Sequence, residues 1–360
     1  MMKNFTPLNT IMLLAFFSAL SFYTVFYHIS SEPWIFSAGN MLENKKVDGY
    51  KELIEMYKTD TKNGFQYKHH IGIMAGNVPD FFNPWQYRVL SAQFNELIIS
   101  TYKSLGVSKP YFLGFITARL LIQTLLLFSC FYYYKKFTRS TNLALLGIIA
   151  LTYSISTCVW KSDLSFNTYL DILFYVCAAY VIISNKNSWL ILPISILAAF
   201  NRETGILIPV ALLLTRGIDI FKFQLASKKD VLISLISLAV FLSILVGIRL
   251  FYGHETYGGT LRGNDPAKLY FVHYNLFDPN TYYRVFAALS LFPILFLISW
   301  KKIDPYLLKL FAILVPIWFL VHIYMAYLNE ARVLLMPLAV VFIPGVISAI
   351  NNSLGENTTR

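Results

Sequence analysis

The chain has 360 residues, 56% of them hydrophobic and 14% charged, against about 45–50% and about 25% in soluble proteins. A mean hydropathy of +0.55 excludes an ordinary soluble enzyme, and the apolar runs reach the roughly 20 residues that a helix needs to cross a bilayer. The net charge of +11 reads as membrane topology rather than as affinity for nucleic acid, because lysine and arginine concentrate in alternate connections.

The expected fold is all-α and polytopic, with about ten membrane segments. The opening stretch, "MMKNFTPLNTIMLLAFFSALSFYTVFYH", has an apolar core longer than the roughly 7–15 residues of a cleaved signal. Residues 1–28 therefore read as a first transmembrane helix that is retained. Residues 29–110 follow as an extracytoplasmic loop, too long for its charge to be governed by the topology rule. Near its end, Trp85, Val89, Phe94, Leu97, Ile98, Tyr102 and Leu105 recur at helical spacing. That predicts an amphipathic helix lying on the outer membrane surface.

Residues 111–350 read as a multi-helix membrane domain, with a second outer loop at 252–281 and a cytoplasmic tail at 351–360. Its apolar runs fall near 111–134, 142–160, 164–184, 189–200, 204–215, 230–251, 282–300, 307–328 and 333–350. Lys3, "KKFTR" at 135–139, Lys186, the stretch from Arg216 to Lys229, and Lys301 with Lys302 must share one side, which the positive-inside rule makes cytoplasmic. Both termini then lie in the cytoplasm. The sorting holds only if 189–215 enters and leaves on that side, since each half is too short to span alone. The segment is expected to be a short hairpin with "NRET" at its tip; the rival is one kinked helix. Cys130, Cys158 and Cys177 all sit in apolar runs without metal-ligand spacing. No internal repeat is evident.

Charges within apolar segments cost roughly 2.5–3.5 kcal/mol each at mid-helix and mark function by default. Here they gather toward the outer ends: Arg119, Asp171, His322, the Arg202–Glu203 pair, Arg249, Arg284, Glu330 and Arg332. A one-sided distribution predicts a water-filled cavity open to the outside. Arg88, Arg119, Arg202, Arg249, Arg284 and Arg332 are arginines, whose planar fork suits phosphate or carboxylate better than a lysine point charge does. Beside a membrane that points to a lipid phosphate. The competing account is internal ion pairing, such as Arg119 with Asp171, or Arg202 or Arg332 with a nearby glutamate. Glu32, Asp163, Asp48 and Asp80 are acids placed to act as a general base at the cavity mouth.

A first helix, a long outer loop with an early acid, and helical hairpins with outward charges together resemble the GT-C glycosyltransferase superfamily. "NPWQYRVL", "NRETGILIPVALLL" and "NEARVLLMPLAVV" are similar to segments of bacterial membrane proteins grouped with it. The resemblance implies transfer of a sugar from a polyprenyl-phosphate carrier to a glycan, lipid or protein acceptor on the extracytoplasmic side of the cell membrane. It assigns the base to Glu32, with Asp48 in reserve, and a second acid to Asp163. The early acid stands in "SSEPW" as Glu rather than Asp, a departure from the family pattern. Substrate binding falls to Arg88, Arg119, Arg202, Glu203, Arg249, Arg284, Glu330 and Arg332. Arginines or a divalent cation would stabilise the leaving phosphate, and the residues do not decide between them. A polysaccharide polymerase of the Wzy or EpsG kind, a transporter or lipid flippase, and a non-catalytic assembly subunit stay open as alternatives.

Overall fold

The computed structural model describes residues 7–31, 89–108, 110–158, 166–184, 187–219, 224–252, 267–326, 328 and 330–357. Each apolar run of the sequence is helical over its described residues. We number the helices α1 (Pro7–Ser31), α2 (Val89–Ser104), α3 (Pro110–Tyr134), α4 (Thr141–Thr157), α5 (Phe166–Ile183), α6 (Ile191–Ala199), α7 (Leu207–Leu212), α8 (Lys228–Tyr252), α9 (Ala267–Phe277), α10 (Pro279–Leu289), α11 (Phe292–Ile298), α12 (Pro305–Met325), α13 (Leu335–Pro337) and α14 (Ile343–Asn357). Two short strands, Ile218–Asp219 and Gln224–Leu225, pair antiparallel between α7 and α8.

Five helical stretches among the described residues are long and apolar enough to cross a membrane, or six if α10 and α11, bent by 68°, count as one broken span. That is a narrower statement than ten spans, because α4, α5 and α6 are apolar but short. Burial runs as membrane solvent dictates. Leu121, Leu125, Leu146, Leu232, Leu297 and Leu320 face outward, while Arg119, Gln123, Asn95, Asp171 and Asn201 are fully buried. Lipid tails satisfy leucine, and polar groups find partners only inside. The innermost span is Ala331–Leu354, in which every residue from Ala331 to Ala349 is buried.

The segment 189–215 is a hairpin, and one carboxylate shows why. Asp230, near the start of α8, accepts from Ser188 Oγ at the beginning of the rising arm and pairs with Arg216 at 3.1 Å at the end of the falling one. Both feet therefore stand at one end of the molecule. At the other end Arg202 is extended (φ −162°, ψ 144°) and breaks the helix. The arms close tightly at Gly205, where a Cβ would lie 2.8 Å from the Ala198 Cβ. Two of the basic connections, at 135–139 and 301–302, meet on α14. Asn351 accepts from Thr138 Oγ1 and the Arg139 amide, and the Asn352 amide donates to the Lys302 carbonyl at 2.7 Å.

Two expectations need correction. Helix α2 buries Ser91, Asn95 and Ile99, and it leaves Leu97 and Leu105 exposed. It packs on α3 at Gly114, where a Cβ would fall 2.6 Å from Ile99 Cγ1. The buried line is thus offset from the apolar stripe, of which Phe94 and Ile98 are half-buried against the core while Leu97 faces out: where lipid is the solvent, polar residues seek the protein side and leucine can face out. The second correction is a repeat. "NRETGILIPVA" and "NEARVLLMPLA" align without a gap, sharing Asn, Leu, Pro and Ala. In each, a 3-10 turn occupies the same register, Glu203–Ile206 and Ala331–Leu334, and each continues through a short α segment into a π turn, Leu213–Gly217 and Leu338–Phe342. Few side chains are identical, so the likeness lies in the backbone path. Proline at matched places deletes a helical amide hydrogen bond in each. In the second segment the Tyr133 hydroxyl donates to the Val340 carbonyl at 2.9 Å, and in the first Thr215 Oγ1 donates to the Ala211 carbonyl at 2.5 Å.

Candidate functional site

One face of α5 builds the first tip. Asn167, Asp171 and Tyr175 recur at four-residue spacing and so lie on one stripe. Each meets the NRET turn in order. The Asn201 amide donates to the Asn167 carbonyl at 2.8 Å. Arg202 Nη1 lies 3.6 Å from Asp171 Oδ2, and Thr204 Oγ1 donates to the same oxygen at 3.3 Å. Deeper in, the Tyr175 hydroxyl donates to the Thr204 carbonyl at 2.5 Å. Asp171 and the Arg202 side chain are almost wholly enclosed. Arg202 Nη1 has no hydrogen-bond partner among the described residues, its ion pair with Asp171 being longer than a hydrogen bond. Glu203 Oε1 is likewise buried without one.

The second tip is built alike. The Trp318 indole N–H donates to the Val333 carbonyl at 2.8 Å, so each 3-10 segment has a carbonyl held by an aromatic donor. His322 stacks on Trp318 with ring centroids 4.5 Å apart, and its Nδ1 lies 2.8 Å from the Trp318 carbonyl. Arg332 pairs with Glu330 at 2.7 Å. Asn275 of α9 braces the turn, donating to the Ala326 carbonyl at 2.7 Å and accepting from the Leu328 amide at 2.8 Å.

A third polar layer lies on α3. Arg119 donates to the Tyr169 hydroxyl at 2.6 Å with its guanidinium 4.4 Å from that ring's centroid, and Gln123 donates to Thr24 of α1. Such a stack combines cation–π attraction with a hydrogen bond in a low-dielectric interior.

Of the residues singled out in the sequence, Asp171, Arg202 and Glu203 converge at the first tip, and Glu330 with Arg332 forms the second. Ion pairing inside the protein accounts for Arg332; Arg202 pairs with Asp171 rather than with its neighbour Glu203. Arg249 is exposed in the last turn of α8, and Arg284 is half-buried on α10. Thr157 ties α10 to the end of α4 by donating to the Ala287 carbonyl at 3.1 Å. Glu32, Asp48, Asp80, Arg88 and Asp163 lie outside the described residues. Sequence reasoning missed Asn167, Tyr175, Asn201, Asn275 and Trp318. Only the four-residue spacing on α5 could have drawn attention to the first two.

A groove of about 700 Å³ between α1 and α3, lined by Leu14, Ser18, Phe22, Leu121 and Leu125, is apolar. It opens on the opposite face of α3 from Arg119 and takes no part in the charged layer. Among the described residues no three His, Cys, Asp or Glu side chains come together as a metal site. Comparison with family models, with characterised proteins and with solved structures finds no match to the chain.

Proposed function

We propose that this protein is an integral membrane glycosyltransferase that takes a sugar from a polyprenyl-phosphate carrier at the extracytoplasmic face. The carrying observation is Arg202: a nearly enclosed guanidinium at the break between two half-length helices, with Nη1 open to a further acceptor. Arginine in such a place suits the phosphate of a lipid lying in the same membrane. Asp171, itself held by the Thr204 hydroxyl, keeps the guanidinium in position. The foot end with its lysines is cytoplasmic in this reading, which puts both termini there and both tips toward the outer half of the bilayer.

In the reaction, an acceptor hydroxyl gives its proton to a carboxylate and attacks the anomeric carbon. The bond from that carbon to the phosphate oxygen breaks, and polyprenyl phosphate leaves with its charge held by arginine. Glu32, Asp163 and Asp48 are the carboxylates proposed for the base. The acceptor is a glycan, lipid or protein, and the polymerase reading differs from this one chiefly in acceptor size.

A second reading, a transporter or lipid flippase, gains from the matched broken segments at the two tips. Paired interruptions in corresponding positions are how many transporters build a substrate site. One assay separates the readings. In proteoliposomes loaded with polyprenyl-phosphoryl sugar labelled in the sugar, the transferase releases free polyprenyl phosphate and moves the label to acceptor. A flippase leaves the lipid chemically intact in the other leaflet. Arg202→Lys keeps charge but loses the fork, and it should cut carrier affinity and transfer by at least about tenfold while the protein stays folded. Unchanged carrier binding with reduced thermal stability would make Arg202 a structural pin.

A further inference from the structure

Resting on the transferase reading, the structure carries one step more. We propose that Asn95, Asn167 and Asn201, together with Glu203, form a subsite that recognises the hydroxyl groups of a neutral sugar beside Arg202.

Three asparagines are fully enclosed here, at 0%, 1% and 0% exposure for Asn95, Asn167 and Asn201. Buried amides are nearly always paired, and each exception asks for an explanation. Asn201 has its nitrogen on the Asn167 carbonyl, which fixes the amide's orientation and leaves Oδ1 as its open end. Asn167 Oδ1 is also without a partner among the described residues, and so are both ends of Asn95. Glu203 Oε1 and Arg202 Nη1 complete the set of open atoms.

Helix α2 starts beside this place and runs on to Asn95. The Leu90 amide donates to the Phe200 carbonyl at 3.0 Å, which docks the start of α2 on the residue before Asn201. Asn95 follows about 7.5 Å further along the helix, on the buried stripe between Ser91 and Ile99.

The balance of donors and acceptors selects the ligand. The open oxygens of Asn95, Asn167, Asn201 and Glu203 need partners that donate, and a phosphate ester offers acceptors alone. A metal cation would suit those oxygens but not the Asn95 nitrogen or the Arg202 guanidinium beside them. Hydroxyls donate and accept at once, and an amide with both ends open matches two neighbouring hydroxyls on one ring. A sugar joined to phosphate presents both chemistries side by side, hydroxyls to the asparagines and the anion to the arginine.

The test uses the full chain in nanodiscs. Binding of polyprenyl phosphate is compared with binding of polyprenyl-phosphoryl glucose, mannose, galactose, N-acetylglucosamine and arabinose. At least one sugar-bearing lipid should bind about tenfold more tightly than the bare lipid. Asn95→Leu, nearly the same size and without polar atoms to leave unpaired, should erase that gain and leave affinity for the bare lipid unchanged. The proposal is overturned if no sugar-bearing lipid gains, or if Asn95→Leu keeps the full gain, since water alone then serves the amides. A gain that vanishes when choline replaces sodium in the buffer would also overturn it, in favour of a cation site. Failure of the phosphate reading looks different: the bare lipid does not bind, while methyl glycosides of the five sugars still raise the melting temperature of the wild type and not of Asn95→Leu.

Discussion

Tyr175 and Trp318 meet edge to face, ring centroids 5.7 Å apart and planes at 90°. Each also donates a hydrogen bond to a carbonyl of a different broken segment, Tyr175 to Thr204 and Trp318 to Val333. The aromatic pair is thus the bridge between the two tips. It couples a stripe of α5 to α12 and gives the repeated segments a common wall.

Truncating each ring, singly and together, isolates that bridge. Tyr175→Ala and Trp318→Ala should each lower stability by about 3–5 kcal/mol. The double variant should cost less than the sum of the two, because the ring contact is shared. Thermal unfolding of the four proteins in nanodiscs measures the coupling, and strict additivity would show that the rings do not act together.

Asp230 holds both feet of the hairpin, so its loss should exceed the loss of either partner alone. Asp230→Ala removes the carboxylate that both the Arg216 guanidinium and the Ser188 hydroxyl use, and should cost roughly 2–3 kcal/mol. Ser188→Ala should cost about 1 kcal/mol. Equal melting temperatures for the two variants would mean that Asp230 does not pin the hairpin.

Gly205 and Val333 occupy matched places in the repeat but differ in room. A side chain at Gly205 meets Ala198 and, at 3.1 Å, the ring of Phe241. Gly205→Val should push the tip arms apart, at a cost of about 1–3 kcal/mol. Because Arg202 and Thr204 adjoin it, carrier binding should fall as well. A folded Gly205→Val protein with unaltered binding would separate the tip from the ligand site.

Ser290, between α10 and α11, has φ 50°, a conformation that costs a side-chain-bearing residue about 1 kcal/mol and glycine little. Ser290→Gly should raise the melting temperature, even though it removes a hydroxyl. A lower one would show that the Ser290 side chain contributes more than its backbone costs.

Asp278 caps α10, accepting from the Asn280 amide at 3.0 Å and from that residue's side chain at 3.1 Å. These bonds hold its carboxyl below the usual range, the backbone donor first. A depressed folded pKa means that the stabilisation is present above the unfolded value near about 4 and is lost as pH falls through the folded value. Acidification through that window should loosen the α9–α10 junction in the wild type. Asp278→Asn, which still caps, should flatten the dependence; hydrogen exchange at the Asn280 amide between pH 6 and pH 3, as order-of-magnitude limits, reads it directly.

Hydropathy located the long apolar helices but not α9, which falls within the stretch 252–281 read as an outer loop, and the two short apolar halves of 189–215 pointed to its fold-back. The pattern was legible because bilayer length and the cost of a buried charge act on sequence directly. The stripe on α2 was not, since its buried side is chosen by the neighbour it packs on, and Ser91 and Asn95 look like surface residues when read alone. The repeat escaped for a related reason: it is written in a proline, an asparagine and a backbone path, with charges in different order at the two tips. The partner of Arg202 was also hidden, because Asp171 stands on another helix and adjacency in sequence favoured Glu203.

The central claim is that the first tip receives the phosphate of a lipid carrier, and a cryo-electron microscopy structure of the protein in nanodiscs with polyprenyl phosphate tests it most directly. The account predicts phosphate density within about 3 Å of the Arg202 guanidinium, between α5 and the NRET turn. Density for the phosphate at another place, with the Arg202–Asp171 pair unaltered, would contradict it.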